Sequence, residues 1–179
     1  MRMPEHIKNM KRRVRGLSLL PFLLFPFLLS NVACSSIDCP VENVVATVYQ
    51  IMNEKGDPVE MDDTLSVETK LRNRTDSLIL NKKNDVAIFQ LPMGYVTPED
   101  TLVFIVNSKS QKTYRDTLYI KKENFPQFES VDCKITYFHH IISTRLSSHN
   151  AIDSIRIIKP EVNYDLSSEH FQIYFKTEL

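Results

Sequence analysis

Two stretches decide the fold class: TLVFIVN, residues 101–107, and TYRDTLYI, residues 113–120. Both are rich in Tyr, Phe, Val, Ile and Thr, the side chains that fit a pleated, half-buried sheet. Apolar residues recur in many places with a period of two, which is typical of a β-strand that buries one face. Seven further stretches share this character: VVATVYQI (44–51), LSVETKL (65–71), SLILN (77–81), VAIFQL (86–91), KITYFHHIIS (134–143), SIRIIK (154–159) and HFQIYFK (170–176).

Turn-forming residues separate these stretches. The clearest turns are NEKGDP (53–58), RNRTD (72–76), NKKND (81–85) and SSHNA (147–151). No segment carries the i, i+3, i+4, i+7 apolar stripe of an amphipathic helix. Eight or nine short strands in a domain of this size predict an all-β fold: a single antiparallel β-sandwich, immunoglobulin-like in arrangement, over residues 42–179.

The N-terminus predicts export. Six basic residues in the first 15 precede the uncharged stretch LSLLPFLLFPFLLSNVA, Leu17–Ala33. This run is shorter than the roughly 20 apolar residues that span a bilayer, and Pro21 and Pro26 disfavour a continuous helix. A basic segment, a short apolar segment and a small residue before the cut describe a cleaved signal peptide over residues 1–33. The alternative is a membrane anchor that is retained.

The sequence SNVAC, residues 30–34, resembles the lipobox of bacterial lipoproteins, although Asn31 stands where that pattern prefers Leu. The resemblance implies that Cys34 is lipidated and becomes the first residue of the mature chain, with residues 34–41 as a lipid-anchored tether. Several acyl chains on one cysteine bury enough methylene groups for stable anchoring. The alternative is cleavage after Ala33, which would release a soluble periplasmic protein.

The chain has three cysteines, an odd number for an exported protein. If Cys34 carries lipid, Cys39 and Cys133 remain as a pair in an oxidising compartment, which favours a disulfide between them. Two free buried thiols are the alternative. A zinc site has little support because no CxxC or HxxxH spacing is present.

Charge argues against nucleic acid as a partner. The full chain balances 22 basic and 22 acidic residues, and residues 1–33 hold six of the former and one of the latter. The mature part therefore keeps 16 basic and 21 acidic residues, a net charge of −5. Nucleic-acid binding needs a basic face, which this balance does not favour.

One phrase, Asp followed by Ser or Thr and then Leu or Ile, occurs five times, beginning at Asp63, Asp76, Asp100, Asp116 and Asp153. One interpretation is that it marks strand entrances, because Asp and Ser/Thr side chains stabilise turns. The other rests on its resemblance to the acceptor motif for protein O-glycosylation in the Bacteroidota. That resemblance implies glycans on the hydroxyls of Thr64, Ser77, Thr101, Thr117 and Ser154. Asn73-Arg74-Thr75 fits the N-glycosylation pattern, but we interpret it as a turn.

Signatures of catalysis are missing, so we predict a protein that is not an enzyme, with no catalytic residues, no metal and no cofactor. There is no GxSxG elbow, P-loop or Rossmann glycine run. His139 and His140 are adjacent and would point to opposite faces of a strand, and His149 lies in a predicted turn. The acidic pairs at residues 62–63 and 99–100 are expected to be solvated at turns.

Five segments together resemble a family of small Bacteroidota lipoproteins classed as a domain of unknown function. They are CSSIDCP (34–40), LPMGY (91–95), FESVDC (128–133), HNAIDSI (149–155) and EHFQIYFK (169–176). The resemblance implies an envelope location. Surface lipoproteins of the Bacteroidota often carry an acidic cluster just after the lipidated cysteine, whereas SSIDCP (35–40) has only Asp38, so the periplasmic face of the outer membrane is favoured over the cell surface. We interpret FESVDC as the strand that brings Cys133 to Cys39, and HNAIDSI as a turn and strand entrance.

Two functions remain. The first is a structural or protein-interaction module that is held at the membrane by lipid and binds another envelope protein. It predicts an exposed apolar patch or an unpaired edge strand. The second is a ligand-binding lipoprotein for a glycan or peptide, which predicts a concave site lined by aromatic residues. We favour the first because no binding signature stands out in the sequence.

Overall fold

Ten β-strands form the part of the chain that the computed structural model describes, which is Cys39, residues 44–70 and residues 76–176. The predicted signal peptide, Cys34 and the Asn73-Arg74-Thr75 sequon lie outside these residues. The strands are β1 (Ala46–Met52), β2 (Thr64–Thr69), β3 (Ser77–Lys83), β4 (Ile88–Pro92), β5 (Glu99–Asn107), β6 (Thr113–Gln127), β7 (Thr136–Leu146), β8 (Ile152–Ile157), β9 (Glu161–Val162) and β10 (Phe171–Phe175). Each of the nine predicted stretches overlaps one strand. The tenth, β9, has only two residues, too few to show a period.

The strands form two sheets that pack face to face, so the predicted β-sandwich is confirmed. One sheet has the order β4-β1-β10-β8 and the other has the order β3-β2-β5-β6-β7-β9. The first two strands lie in different sheets, whereas a constant-type immunoglobulin domain keeps them in one. The likeness to immunoglobulin domains is therefore one of architecture rather than of strand order.

The sandwich is not purely antiparallel, because β1 pairs in parallel with β10, with Tyr49 opposite Phe171. His170, which is fully buried, closes the start of this pairing. Its ring Nδ1 accepts a hydrogen bond from the backbone N–H of Val48 (3.1 Å), and its backbone N–H donates to the Val48 carbonyl (2.9 Å). The other seven strand pairings are antiparallel.

Aromatic rings join the two sheets at the centre of the core. Tyr49 of β1 stacks on Phe89 of β4 (5.0 Å between centroids) and on Phe171 of β10 (4.8 Å). The same ring meets Phe104 of the opposite sheet edge-on at 6.3 Å. All four are buried, and such pairs add to the stabilisation from buried area.

The interpretation of FESVDC as a strand is wrong. The last pair of the β6–β7 ladder is Gln127 with Thr136, and residues 128–135 form the turn and loop between the two strands. Within this loop the N–H of Cys133 donates to the Ser130 carbonyl (3.2 Å). Ser130 and Asp132 favour turns, which explains why the stretch leaves the sheet. No helix in the described part of the chain is long and apolar enough to cross a membrane.

Candidate binding site at the disulfide-bonded end

The five repeated motifs do not share one structural role. Asp63 and Asp76 directly precede β2 and β3, and Asp100 and Asp153 are the second residues of β5 and β8, so the strand-entrance interpretation is confirmed there to within one residue. Asp116 is different, because it is the fourth residue of β6 and is fully buried. For this motif the interpretation is wrong.

The Asp116 carboxylate organises the turn between β7 and β8. It accepts hydrogen bonds from the backbone N–H groups of Asn150 (2.8 Å), Ala151 (2.7 Å) and Ile152 (2.8 Å), and from the Ser148 hydroxyl (2.7 Å). Burial raises the pKa of this carboxyl, but the four hydrogen bonds outweigh burial and hold the pKa below its usual value. The motif at this position is therefore a structural anchor.

The candidate glycosylation hydroxyls differ in exposure. Ser77 lies on an exposed stretch of the edge strand β3. The other four, Thr64, Thr101, Thr117 and Ser154, are half-buried. Ser77 is therefore the hydroxyl that a glycosyltransferase would reach most easily.

A cavity of about 540 Å³ opens beside the start of β5. Its walls are mostly apolar and include Val44, Ile79, Met93 and Leu102. Tyr95 and Val96, on the loop of residues 93–98 between β4 and β5, form its rim, and Val96 is 84% exposed. Lys70, Glu99 and Asp100 supply its charged groups. We call the loop of residues 93–98 the rim loop.

A buried ion pair forms hydrogen bonds with the backbone of the rim loop. The side chain of Lys122, on β6, has no solvent exposure, and its Nζ lies 2.7 Å from Asp100 Oδ1. The same Nζ donates to the Thr97 carbonyl (3.1 Å), and Asp100 Oδ2 accepts the Gly94 N–H (3.0 Å). A Cβ on residue 94 would stand 3.0 Å from Asp100 Oδ1, so glycine allows this close approach. The expectation that Asp100 is solvated is wrong, because its side chain is only 13% exposed and is paired with a buried lysine.

Side chains of β6 and β7 also contact the rim loop, through hydrogen bonds and ring stacking. The amide of Asn124 donates to the carbonyls of Tyr95 (3.0 Å) and Thr97 (3.2 Å). Because its NH₂ group is used in this way, its Oδ1 accepts the proton of His139 Nδ1 at 2.7 Å. Tyr95 also stacks on Tyr137 of β7, with centroids 4.7 Å apart. The rim loop is thus held by hydrogen bonds and stacking although its Val96 side chain faces water.

Burial shifts the pKa values of two groups in this network. Desolvation raises the pKa of the Asp100 carboxyl, and the ion pair with Lys122 only partly opposes it. Desolvation, followed by the nearby charge of Lys122, lowers the pKa of His139 to about 4. At neutral pH the imidazole is therefore uncharged, while the charges of Asp100 and Lys122 compensate each other. The charged groups are used to hold the rim loop.

The histidines lie apart, as the sequence suggests. His139 is buried and His140 is partly exposed, so the predicted opposite orientation is confirmed. His149 lies in the turn between β7 and β8. Within the described residues, no group of three or more His, Cys, Asp or Glu side chains could hold a metal ion.

The disulfide lies at the same end of the sandwich. Cys39 is bonded to Cys133, with 5.4 Å between Cα atoms, which is the pairing predicted from the sequence. Cys133 lies in the loop between β6 and β7, and Val44, five residues after Cys39, bridges to Tyr137. We call residues 125–135 the hairpin tip. Its Phe128 is 67% exposed and its Val131 is 99% exposed.

Residues 64–175 match a protein family described as a family of unknown function (DUF6452). The chain belongs to this family. The match begins at the first residue of β2 and ends at the last residue of β10, so it includes the rim loop and the hairpin tip but not Cys39 or β1. No curated protein and no solved structure is similar enough to count as a match.

In this DUF6452 chain, sequence reasoning missed the buried polar groups beneath the rim loop. The period-two pattern of β6 indicates them. Leu118 and Ile120 are inward residues of β6, and a period of two places Lys122 and Asn124 on the same face. The stacking of Tyr95 on Tyr137 had no such signal, because the two residues come from separate elements.

Proposed function

We propose that this chain is a lipoprotein of the Bacteroidota cell envelope, anchored through Cys34 at the periplasmic face of the outer membrane, and that it acts without catalysis by binding another envelope protein. The observation that carries the proposal is the rim loop. Val96 is 84% exposed on a loop that Lys122 and Asn124 hold in place. A preformed apolar surface of this kind lowers the entropy cost of association.

The edge strand β3 supports a protein partner. In the described part of the chain, β3 is the end of its sheet and pairs only with β2. Its Leu78 is 49% exposed and its Ile79 lines the cavity. An extended segment of a partner that pairs with β3 would place alternate side chains towards the cavity. Edge pairing supplies affinity and the cavity supplies selectivity.

Binding of a peptide or glycan is the second candidate, and the size of the cavity favours it. About 540 Å³ lies within the usual range for small-molecule sites, and the walls are apolar with a few polar groups. Tyr95 could stack on a sugar ring, but its inner face is already taken by Tyr137. We therefore place this candidate second.

Site-specific photo-crosslinking in living cells tests the partner. A crosslinking amino acid in place of Val96 or Leu78 should form one discrete adduct, whose mass identifies a protein. The matched control is Val59, which is 38% exposed beside the far end of β1 and should form no such adduct. A low-mass ligand that survives native mass spectrometry, without a protein adduct, would support the second candidate instead. Equal labelling at Val96 and Val59 would argue against both.

Intact mass spectrometry of the native protein, extracted from its own envelope in detergent, tests the anchor and the glycans. The proposal predicts the mass of residues 34–179 plus acyl chains, two hydrogens lighter before reduction. Additional mass in whole glycan units would support the five motif hydroxyls as acceptors. Because Ser77 is the exposed hydroxyl, Ser77→Ala should remove one unit. A bare polypeptide that starts after Ala33 would contradict both the lipid and the glycans.

A further inference from the structure

We propose that the hairpin tip inserts its apolar side chains into the interface of the lipid bilayer, beside the N-terminal anchor. The inference rests on the proposed lipid on Cys34 and adds a second contact with the membrane. The hairpin tip carries four large apolar residues that the core does not use. Their exposed fractions are 50% for Phe125, 67% for Phe128, 99% for Val131 and 42% for Ile135.

The hairpin projects beyond the rest of its sheet. The pairing of β5 with β6 reaches only to Glu99 and Lys121, whereas β6 and β7 remain paired as far as Gln127 and Thr136. Six residues of β6 therefore extend beyond β5. On the other side of the hairpin, β9 pairs with β7 as far as His139, which lies opposite Asn124, so the last three residues of β6 extend beyond both neighbouring strands, over about 10 Å at the usual rise. The hairpin tip therefore lies beyond the ends of the neighbouring strands in its sheet.

The disulfide places the hairpin tip next to the anchor. Cys39 is five positions after Cys34, which bounds the distance between their Cα atoms at about 18 Å for a fully stretched chain. Cys39 lies 5.4 Å from Cys133 between Cα atoms, and Val131 is two residues from Cys133. The most exposed apolar side chain of the tip is thus close to the point at which the lipid holds the chain. The proposed lipid on Cys34 therefore keeps Val131 close to the lipid headgroups.

The chemistry of the tip fits lipid better than a flat protein surface. Phe128, Val131 and Ile135 lie on the loop of residues 128–135, and aromatic residues such as Phe128 suit the boundary between headgroups and acyl chains. Glu129, Asp132 and Lys134 are exposed among them and sum to a charge of −1. The charge gives no attraction to anionic lipids, so a zwitterionic bilayer is the expected partner. The turn between β5 and β6, at the other end, carries Lys109 and Lys112 instead.

The absence of tryptophan from the chain allows a clean fluorescence test. Three single variants of the full, lipidated protein are compared: Phe128→Trp, Val131→Trp and, as the control at the far end of β1, Val59→Trp. Each is reconstituted into phosphatidylcholine vesicles with or without brominated acyl chains. Co-sedimentation with the vesicles reports the anchor, and quenching by bromine reports contact of the tryptophan with lipid. Matching thermal unfolding curves show that each variant is folded.

We expect all three variants to co-sediment, and only the Phe128→Trp and Val131→Trp emissions to shift to the blue and to be quenched. Co-sedimentation with all three tryptophans unquenched would overturn the hairpin-tip contact and leave the anchor in place. Quenching of Val59→Trp to the same extent would also overturn it, because the contact would then lack orientation. Protein that stays in solution and has the mass of a bare polypeptide would overturn both the anchor and the inference.

Discussion

At the scale of the residue, the aspartates of the five Asp-Ser/Thr-Leu/Ile motifs have different structural roles. Asp116 is buried and binds the β7–β8 turn, more than 30 residues away in sequence. Asp63 accepts the backbone N–H of Lys109 (3.1 Å), and Asp100 pairs with Lys122. Asp76 and Asp153 are exposed. A motif of three residues cannot specify these outcomes, since each depends on which distant segment meets the carboxylate.

Asp116→Ala should lower the free energy of unfolding by about 3 kcal/mol or more, because it leaves three backbone N–H groups and one hydroxyl without their acceptor, two of the N–H groups being buried. Urea unfolding at neutral pH measures the loss. The matched control is Asp153→Ala, which alters the same motif at an exposed position and should change stability by less than about 0.5 kcal/mol. Equal losses in the two variants would contradict the anchoring role.

We expect the protein to lose stability in mild acid because the folded state disfavours protonation of His139. Its pKa in the folded state is about 4, below its usual value near 6.5, so the unfolded chain takes up a proton first as the pH falls. The stability is present above pH 6.5 and is lost between pH 6.5 and 4. Buried His170, whose pKa is also lowered by desolvation, adds to the same slope. Asp116 acts in another window, because a lowered carboxyl pKa costs stability only below about pH 4.

His139→Gln should therefore reduce the fall in unfolding free energy between pH 7.5 and pH 5, while a part due to His170 remains. Urea unfolding at the two pH values measures this slope. His140→Gln is the control, since His140 is the neighbouring residue on the more exposed side of the strand. A His139→Gln variant with the wild-type slope would show that the imidazole does not control acid sensitivity.

At the scale of the element, β6 changes character along its length. Its first half turns Leu118 and Ile120 into the core, and its second half turns Lys122 and Asn124 towards the rim loop. The strand continues beyond the end of β5 because it remains paired with β7. Its inward polar side chains are also satisfied there, by hydrogen bonds to rim-loop carbonyls and by the ion pair with Asp100. A buried lysine without such partners would be too costly to keep.

Lys122→Met should destabilise the protein by about 3–5 kcal/mol, because it leaves the Asp100 carboxylate in the interior without its counter-charge. Adding Asp100→Asn should recover part of the loss, since the neutral amide can still accept the Gly94 N–H. Denaturant unfolding of the wild type, both single variants and the double variant forms a double-mutant cycle that gives the coupling energy. Strictly additive losses would contradict an ion pair that acts as a unit.

At the scale of the whole molecule, the disulfide joins the start of the domain to a loop 94 residues later. Together with the bridge between Val44 and Tyr137, it ties the chain before β1 to the six-stranded sheet, although β1 itself belongs to the other sheet. The hairpin tip, the rim loop and Cys39 are consequently held at one end. This grouping is the basis of the proposed orientation at the membrane.

Replacing both Cys39 and Cys133 by Ser should lower the free energy of unfolding by about 4–5 kcal/mol, because a crosslink over a loop of this length restricts the unfolded chain. Thermal and urea unfolding measure the difference. Reductant should destabilise the wild type to a similar extent and leave the double variant unchanged. If reductant affected both proteins equally, the bond would not be the source of the stability.

The sequence by itself determined nine of the ten strands in the described residues and the fold class, because alternation along a strand is local. It favoured the pairing of Cys39 with Cys133 on the assumption that Cys34 carries lipid, which leaves only these two cysteines. The tertiary structure decided the order of the strands, the parallel pairing of β1 with β10 and the role of each motif aspartate. It also showed that FESVDC leaves the sheet and that Tyr95 meets Tyr137. The physical reason is that a period records which face a residue presents, whereas a partner across the fold depends on how distant segments pack.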